Sequence, residues 1–197
     1  MKTKINKEDK ISTFLLGNGV SPDSMNKLLE IAKIVFVKNK TNLVHIGDIN
    51  QNCYFIVEGG FVARSFYFDS QKIAATNFFL SDYFPFMACV DSFFTGAKTK
   101  TELIAIKNSL VLSFHKPAFE KIMAENQDIS MLYLQMMSEI VRNESELKTV
   151  LIGSSKKDIY GYLIEKCNPV IKNVPGKYIA EFMGITPEWY SKMKKEV

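Results

Sequence analysis

The chain has 197 residues, of which 47% are hydrophobic and 23% charged, and its formal net charge is +4. That length is sufficient for one domain and a smaller second one with a proper core, and the composition excludes a disordered chain. The three Cys residues are scattered and odd in number, which excludes a disulfide framework and a Cys-ligated cluster.

The first ten residues are polar and Lys-rich, and no apolar run approaches the roughly 18 residues that a membrane span requires. We therefore expect a cytoplasmic protein that has no membrane partner. The positive charge is concentrated after residue 153, where eight Lys residues stand against five acids. This bias is typical of a nucleic-acid-binding segment, although a solvated basic surface has the same composition.

Short runs of β-branched and aromatic residues dominate the chain from Ile34 to Phe114, after a helix predicted near residues 24–32. Turn signals rich in Gly and Asp separate these runs. Their regular spacing predicts an antiparallel barrel or sandwich. The runs lie at residues 34–37, 53–57, 61–68, 103–106 and 110–114.

Two helices are predicted next, the first at Lys116–Glu125 and a longer one from about Asp128. Along the longer helix, seven residues are separated alternately by four and three positions, which is the spacing of a coiled-coil seam. This seam predicts a contact between two protomers, in which the polar Asn143 helps to set the register. The alternative is a helix that packs the same stripe on its own barrel. The seam residues are Ile129, Tyr133, Met136, Ile140, Asn143, Leu147 and Val150.

The last segment has the pattern of a helix-turn-helix. Gly153 with Ser154 or Ser155 predicts a hinge and the start of a helix. Further on, a short helix over residues 178–182 is followed by a turn at Gly184 and a second helix opened by Thr186. A second helix so placed presents its outer face to a major groove of DNA. The alternative is a helical hairpin that binds no nucleic acid.

Together these elements predict an α+β fold in three parts. An antiparallel β-roll with flanking helices occupies residues 1–127, and a dimerisation helix with a hinge occupies 128–153. A helix-turn-helix domain occupies residues 154–197.

This order of elements resembles the cyclic AMP receptor protein and fumarate-nitrate regulator (Crp/Fnr) family of transcription factors, over nearly the whole chain. The resemblance implies a jelly roll of the cyclic-nucleotide-binding type and a homodimer on a palindromic DNA operator, with RNA polymerase as a further partner. The similar segments are Ile46-Gly47-Asp48, Tyr54–Gly59, Asp91–Gly96 with Ile104-Ala105, Val174-Pro175, Lys177–Ala180, Gly184–Glu188 and Ser191-Lys192.

The pocket that the resemblance implies has lost its nucleotide-binding residues. Family members that bind a cyclic nucleotide have a Phe-Gly-Glu motif for the ribose and an Arg for the phosphate. Here Phe86 cannot accept a ribose hydrogen bond, and Lys lacks the planar fork of Arg. We therefore expect no control by cyclic AMP, and either an unknown apolar effector or none. The residues of this degenerate pocket are Phe84, Phe86, Lys98, Thr99 and Lys100.

Other cofactors of the family also lack their ligands in this sequence. An iron-sulfur cluster needs clustered Cys near the N-terminus, but the first Cys is Cys53. A haem needs a placed axial ligand, and the two His residues, His45 and His115, are expected at strand ends on the surface. No catalytic set of residues stands out. We therefore expect no cofactor, no metal site and no enzymatic activity.

The resemblance also implies which residues contact DNA. Glu188 and Lys192 match positions that read bases, with Glu accepting from cytosine and a cation donating to guanine. An ion pair between these two side chains is the alternative. Trp189 is expected either at the DNA backbone or a thymine methyl, or buried against the neighbouring helix. The remaining candidates are expected to contact phosphates, which positions a protein on DNA without reading its sequence. They are Lys177, Thr186, Ser191, Lys194 and Lys195.

The leading hypothesis from the sequence is therefore a homodimeric, sequence-specific transcriptional regulator that cyclic AMP does not control. The alternative is a sensory module that binds a cyclic nucleotide or other small molecule and uses its C-terminal helices for protein contacts.

Overall fold

The computed structural model describes residues 2–67 and 71–196, with side chains from residue 10 onward. Its strands form two four-stranded antiparallel sheets, with the orders β1-β8-β3-β6 and β2-β7-β4-β5. In the described residues the strands are β1 Lys33–Val37, β2 Asn42–Val44, β3 Asn52–Glu58, β4 Gly60–Tyr67, β5 Lys72–Leu80, β6 Phe86–Ala88, β7 Thr101–Ala105 and β8 Ser109–His115. The predicted α+β fold with an antiparallel roll is confirmed.

Helices flank the roll at both ends of the chain. The described helices are α1 Lys2–Gly17, α2 Pro22–Glu30, α3 Val90–Thr95, α4 Lys116–Glu125, α5 Gln127–Gly153, α6 Lys156–Lys166, α7 Asn168–Asn173, α8 Gly176–Met183 and α9 Pro187–Glu196. Among residues 2–67 and 71–196, no helix combines the length and apolar character that crossing a membrane requires.

The two sheets enclose the first of three apolar clusters. Phe61 and Leu103 of the second sheet meet Val111 of the first sheet, and all three are fully buried. Burying a Phe or Leu side chain contributes about 1.5–3 kcal/mol to folding. The strand runs seen in the sequence therefore form one closed core, because alternate residues of each strand point to the same side.

A second cluster joins the first sheet to the helices that flank it. Ile11 and Leu15 of α1 and Leu28 of α2 pack with Phe114 of β8 and Phe119 of α4.

The third cluster joins the second sheet to the C-terminal helices, since Phe78 and Leu80 of β5 pack with Ile179 and Met183 of α8. The C-terminal helices are thus docked on the sheet that the N-terminal helices leave uncovered.

Several elements were not predicted from the sequence. They are α1, β2, β5, β6, α3 and α7. Strand β5 reads KIAATNFFL, and its start has no strong period-2 pattern. It forms because β4 pairs with it along its length, from Gly60 with Leu80 to Tyr67 with Lys72. Phe68, in the run predicted at 61–68, lies outside the described residues.

The stripe of α5 that predicted a contact between protomers faces its own chain. Ile129 is buried, and Tyr133 and Met136 pack beside it against the cluster around the first sheet. Ile140, Asn143 and Leu147 line a small pocket with Phe79 and Tyr83, and Val150 packs on the third cluster. The structure therefore has the alternative arrangement, in which this stripe packs on its own roll. This corrects the assignment of these seven residues to a coiled-coil seam.

The opposite face of α5 carries a second stripe, called the outer stripe below. Its residues also alternate by three and four positions, and four of them are large apolar side chains that are 59–77% exposed. Large exposed apolar residues in one line mark a contact surface more often than solvent-facing helix. The outer stripe consists of Met131, Leu134, Ser138, Val141, Ser145, Lys148 and Ile152.

Candidate functional site

The turn between α8 and α9 has the geometry of a helix-turn-helix. Gly184 has a left-handed φ of 64°, which a residue with a Cβ adopts only at a cost. The N–H of Gly184 donates to the carbonyl of Glu181 at 3.1 Å, and the N–H of Ile185 donates to that of Ala180 at 3.0 Å. These two bonds form a Schellman motif that ends α8 and turns the chain sharply. Ala180, whose carbonyl accepts the second of these bonds, is fully buried.

Helix α9 begins as the sequence predicts. The hydroxyl of Thr186 accepts a hydrogen bond from the N–H of Trp189 at 3.2 Å, and Pro187 occupies the first helical position. Tyr190 and Met193 are buried beneath the helix. A Cβ on Gly176 would lie 2.8 Å from the ring of Tyr190, so this glycine allows the start of α8 to approach α9 closely.

All eight side chains predicted to contact DNA are exposed. At about 100° per residue, Glu188, Ser191, Lys192 and Lys195 share the face of α9 opposite Tyr190 and Met193. Trp189 and Lys194 lie on the two flanks of that face. Trp189 is 48% exposed, so the expectation that it is buried against the neighbouring helix is wrong.

Two details refine the chemistry of this face. Among the described residues, no ion pair within 4.0 Å joins Glu188 and Lys192, so both charges are available to a partner. The hydroxyl of Ser191 donates to the carbonyl of Pro187 at 2.8 Å. A phosphate oxygen only accepts hydrogen bonds, so Ser191 would have to give up this bond to contact one.

Lys177 lies at the start of α8, apart from the outward face of α9. Its Nζ atom is 4.5 Å from the centroid of the Tyr178 ring, within the range of a cation–π contact. Its side chain is exposed. Lys177 is therefore oriented by its neighbour and still open to solvent.

A charged cluster joins α8 to the second sheet. Arg64 of β4 donates through Nε to Glu181 of α8 and through Nη1 to Glu102 of β7, both at 3.0 Å. The N–H of Ala75 also donates to Glu181, at 3.2 Å. The ring of Phe182 packs on that of Phe78 with centroids 5.3 Å apart. The first helix of the helix-turn-helix is thus held on the roll, while the outer face of α9 stays exposed.

A cavity of about 710 Å³ lies between the roll and the inner face of α5. Most of its walls are apolar, with Phe66, Phe79 and Met87 from strands and Met136 and Ile140 from α5. Burial raises the pKa of the Cys53 thiol to about 12 and that of Cys89 to about 11. Both thiols are therefore neutral parts of this wall at physiological pH.

The structure brings only part of the predicted pocket to this cavity. Phe86 and Lys100 line it. Phe84 does not: it has a left-handed φ of 50° and lines a separate pocket of about 100 Å³. Lys98 is exposed and does not line the cavity, and Thr99 is buried with its hydroxyl donating to Asp91 at 3.0 Å. These three positions are a correction, because Phe84 lines the other pocket, the hydroxyl of Thr99 is bonded to Asp91 and Lys98 extends into solvent.

The carboxylate of Asp91 lies in the cavity wall among hydrogen-bond donors of its own chain. Asp91 accepts hydrogen bonds from the N–H of Lys100 at 3.0 Å, the N–H of Ser92 at 2.8 Å and the hydroxyl of Thr99 at 3.0 Å. Burial raises the pKa of Asp91, but these hydrogen bonds outweigh it and the pKa is lowered overall. The donors that could cradle an anion are thus already occupied by an ionised side chain of the chain itself.

A further carboxylate, Glu144, lines the cavity from α5. Its Oε1 accepts from the Nδ2 of Asn77 at 2.9 Å. Burial raises its pKa, and this hydrogen bond opposes the shift only in part. Charged groups in the cavity wall therefore comprise Asp91, Lys100 and Glu144, with no Arg among the described residues that line it.

Both histidines are exposed, as expected: His45 lies beside Asp48, and His115 ends β8. In the part of the chain that the structure describes, no group of three or more His, Cys, Asp and Glu side chains could hold a metal ion.

The sequence analysis did not single out Arg64, Asp91, Glu144 or Glu181. For Arg64 a signal was present, since only two of the 25 basic residues are Arg and this one lies within a strand run. Arg is favoured over Lys where a planar group must bind two carboxylates. The acids carried no comparable signal, because their roles depend on partners that are distant in sequence.

Comparison with solved structures finds this architecture in Crp/Fnr regulators. FixK2 from Bradyrhizobium japonicum has a TM-score of 0.69 and 13% identity, over 84% of this chain and 84% of that one. CooA from Carboxydothermus hydrogenoformans, solved as a mutant, has a TM-score of 0.69 and 11% identity, over 93% and 82%. CLP from Xanthomonas campestris, described as a c-di-GMP-responsive global regulator, has a TM-score of 0.67 and 11% identity. The match covers 89% of this chain and 91% of that one.

No protein-family model matches the sequence, and no curated protein sequence is detectably similar to it. At 11–13% identity, the likeness to these three structures shows the fold. The chain therefore has the Crp/Fnr fold, a cyclic-nucleotide-binding-like roll followed by a long helix and a helix-turn-helix, as the sequence resemblance implied.

Proposed function

We propose that the chain is a homodimeric, sequence-specific DNA-binding transcriptional regulator that is not controlled by cyclic AMP. The observation that carries this proposal is the outward face of α9. Its side chains are Glu188, Ser191, Lys192 and Lys195, and the buried Tyr190 and Met193 fix its orientation. A recognition helix needs a rigid mount and a polar outer face of this kind.

The proposed division of labour follows the three parts predicted from the sequence, 1–127, 128–153 and 154–197. The hinge between the last two has support from Ser155, whose hydroxyl accepts from the N–H of Asp158 at 3.3 Å and begins α6. Such a regulator would work in the cytoplasm beside its DNA. RNA polymerase is a further proposed partner, for which no residues are assigned.

The proposed dimer forms through the outer stripe of α5. Leu134 and Val141 would pack across a two-fold axis, and the small Ser138 and Ser145 would let the two helices approach. A stripe that alternates by three and four positions is the pattern of a two-stranded coiled coil. A symmetric dimer would present two copies of α9 to one face of DNA.

Selection of bound DNA from a random library tests this proposal. We expect a palindrome whose half-sites are separated by about 10 base pairs centre to centre, or a multiple, because a two-fold dimer reads the same groove one turn apart. Failure of any sequence to be enriched, with folded dimeric protein, would contradict the proposal.

The selected sequence then allows base reading to be separated from phosphate contact. We expect Lys192→Ala to lose roughly 1–3 kcal/mol per half-site and to flatten the preference at one base pair. Lys194→Ala, on the flank of α9, is the matched control. It should weaken all sequences alike and reduce the salt slope by about one contact per protomer. If Lys192→Ala leaves the ratio of specific to non-specific affinity unchanged, this residue does not read bases.

The docking of α8 on the roll supports a second candidate, a sensory module that uses its C-terminal helices for protein contacts. Phe182 and Glu181 are already engaged in such a contact within the chain. Salt dependence separates the two functions. A regulator that neutralises several phosphates loses affinity steeply as salt rises, with log K falling by about 0.9 per phosphate for each unit of log salt concentration.

A further inference from the structure

The cavity between the roll and α5 extends along the helix. Its α5 wall runs from Ile129 to Glu144. At 1.5 Å per residue these positions are about 22 Å apart along the helix axis. The cavity, with a volume of about 710 Å³, therefore follows about four turns of α5, and it is called the channel below.

The walls of this channel are suited to a hydrocarbon chain. Leu132, Met136 and Ile140 follow one another along α5, and Phe79 and Phe86 face them from the strands. Met side chains adapt their shape to an apolar neighbour at low cost. The hydroxyls at one end are already paired, since Ser65 lies 2.9 Å from the hydroxyl of Thr101.

The charges in the channel oppose an anionic ligand. Asp91 and Glu144 contribute carboxylates, and Lys100 contributes one cation. The backbone amides at the polar end already bind Asp91, so a phosphate placed there would meet a negative charge instead of free donors. Like charges at short range in a partly buried site repel strongly.

We propose that this channel binds an uncharged molecule with a single long alkyl chain, such as a long-chain alcohol or another neutral lipid. The alkyl chain would lie along α5, and its hydroxyl would donate to the oxygen of Ser65 or Thr101, because a paired hydroxyl oxygen keeps an acceptor lone pair. Its role as an effector rests on the function proposed above, whereas the binding itself does not.

Titration calorimetry on the full chain, without DNA, tests the binding. We expect hexanol, octanol and decanol to bind with affinities that rise about fifteenfold for each two added methylenes, since each buried methylene contributes about 0.8 kcal/mol. Decanoate should bind at least tenfold more weakly than decanol, and cyclic AMP should not bind. Binding of decanoate or cyclic AMP that is tighter than that of decanol would overturn the proposal, as would no binding of decanol.

Two filling variants locate the site. Met136→Trp places an indole in the middle of the channel and should reduce the affinity for decanol at least tenfold. Glu139→Trp places the same group on the exposed side of α5 and is the matched control, with unchanged affinity expected. Ala88→Leu adds a smaller side chain to the cavity from the strand side. It replaces Met136→Trp in the test if circular dichroism shows that the larger substitution disturbs folding. Unchanged affinity in both filling variants would overturn the assignment of the channel.

The test also keeps the two proposals apart. If decanol binds as expected and no DNA is selected, the ligand site stands and the regulator function fails. If DNA is selected and decanol does not bind, the regulator function stands and the ligand site fails.

Discussion

The two faces of α5 have the same spacing of side chains but opposite surroundings. On the inner face, Ile129 and Leu132 are buried against helices and the first sheet. On the outer face, Leu134 and Val141 are 59% and 64% exposed. A heptad pattern therefore does not by itself show whether a helix face is covered within the chain, or by what.

The inner and outer faces of α5 also differ in the chemistry of their side chains. The inner face includes groups whose burial or hydrogen bonding changes their pKa, such as Tyr133 and Glu144. The outer stripe combines exposed apolar residues with small Ser138 and Ser145. The inner face thus belongs to the ligand channel and the core, and we propose the outer face as the protomer contact.

The largest expected effect comes from charging the outer stripe. Leu134→Lys combined with Val141→Lys should convert the dimer to a monomer, because four like charges would face each other across the two-fold axis. Loss of the dimer should weaken binding to a palindrome by roughly 10²–10⁴, since the second half-site is then no longer bound intramolecularly. Light scattering and fluorescence anisotropy measure the two effects.

A matched control tests whether charge alone causes that change. Gln135→Lys combined with Glu139→Lys adds positive charge at exposed positions of the same helix, away from the stripe. The dimer should persist in this variant. If both double variants are equally dimeric, the outer stripe is not the contact.

Truncation on the inner face should affect stability instead of assembly. Leu132 is 6% exposed, and Leu132→Ala should lower the free energy of unfolding by about 2–5 kcal/mol, through lost burial and the cavity that remains. Urea denaturation at fixed protein concentration measures the loss. The oligomeric state in buffer should not change, and a monomer at an unchanged unfolding midpoint would reverse the roles of the two faces.

A smaller effect is expected from acid at the start of α5. Asp128 accepts from the N–H of Ser21 and from the hydroxyl of Ser24, both at 2.8 Å, which ties α5 to α2. Burial raises its pKa, but the hydrogen bonds together outweigh this effect and lower the pKa from 3.8 to about 2. A lowered pKa means that its stabilisation is present above about pH 4 and is lost as the pH falls towards 2.

Thermal unfolding of the wild type and of Asp128→Asn as a function of pH measures this contribution. The two should differ at neutral pH and converge below about pH 2. A difference that is independent of pH would mean that the ionised carboxylate is not the stabilising form.

The smallest effect concerns Glu144, whose pKa is shifted in the opposite direction. Burial raises this pKa. The contribution of Glu144 to folding stability is therefore most favourable below pH 4.5, the ordinary pKa, and is lost as the pH rises through the raised pKa. Glu144→Gln should therefore be slightly stabilising or neutral near pH 7, because it keeps an acceptor for Asn77 without the charge. A clear destabilisation of this variant at pH 7 would show that the carboxylate has an additional partner.

Much of the fold was predictable because local signals agreed with the tertiary structure. Gly184 and Thr186 meet the requirements of the turn and of the next helix as predicted, and Pro187 occupies the first helical position. Strand β5 and helix α1 were missed because their residues show a pattern only against the sheets and helices that pack on them.

The candidate DNA-contacting face was predictable for the same reason. Its exposure follows from the helical period once Tyr190 and Met193 are recognised as the inner side. The pocket was predicted only in part, since Thr99 is bonded to Asp91, which is distant from it in the pattern of the sequence, and Lys98 is exposed outside the cavity.

From the sequence alone, the elements with strong local signals could be identified: the alternating strands, the long helix and the helix-turn-helix with its caps. The tertiary structure decided which face of α5 is buried, how Arg64 joins α8 to the roll, and that Asp91 accepts the hydrogen bonds of Ser92, Thr99 and Lys100. These features depend on contacts between residues that are far apart in the chain. Periodicity and capping depend only on residues that are close together in the sequence. They therefore predict local backbone structure, but not which distant residues will be in contact.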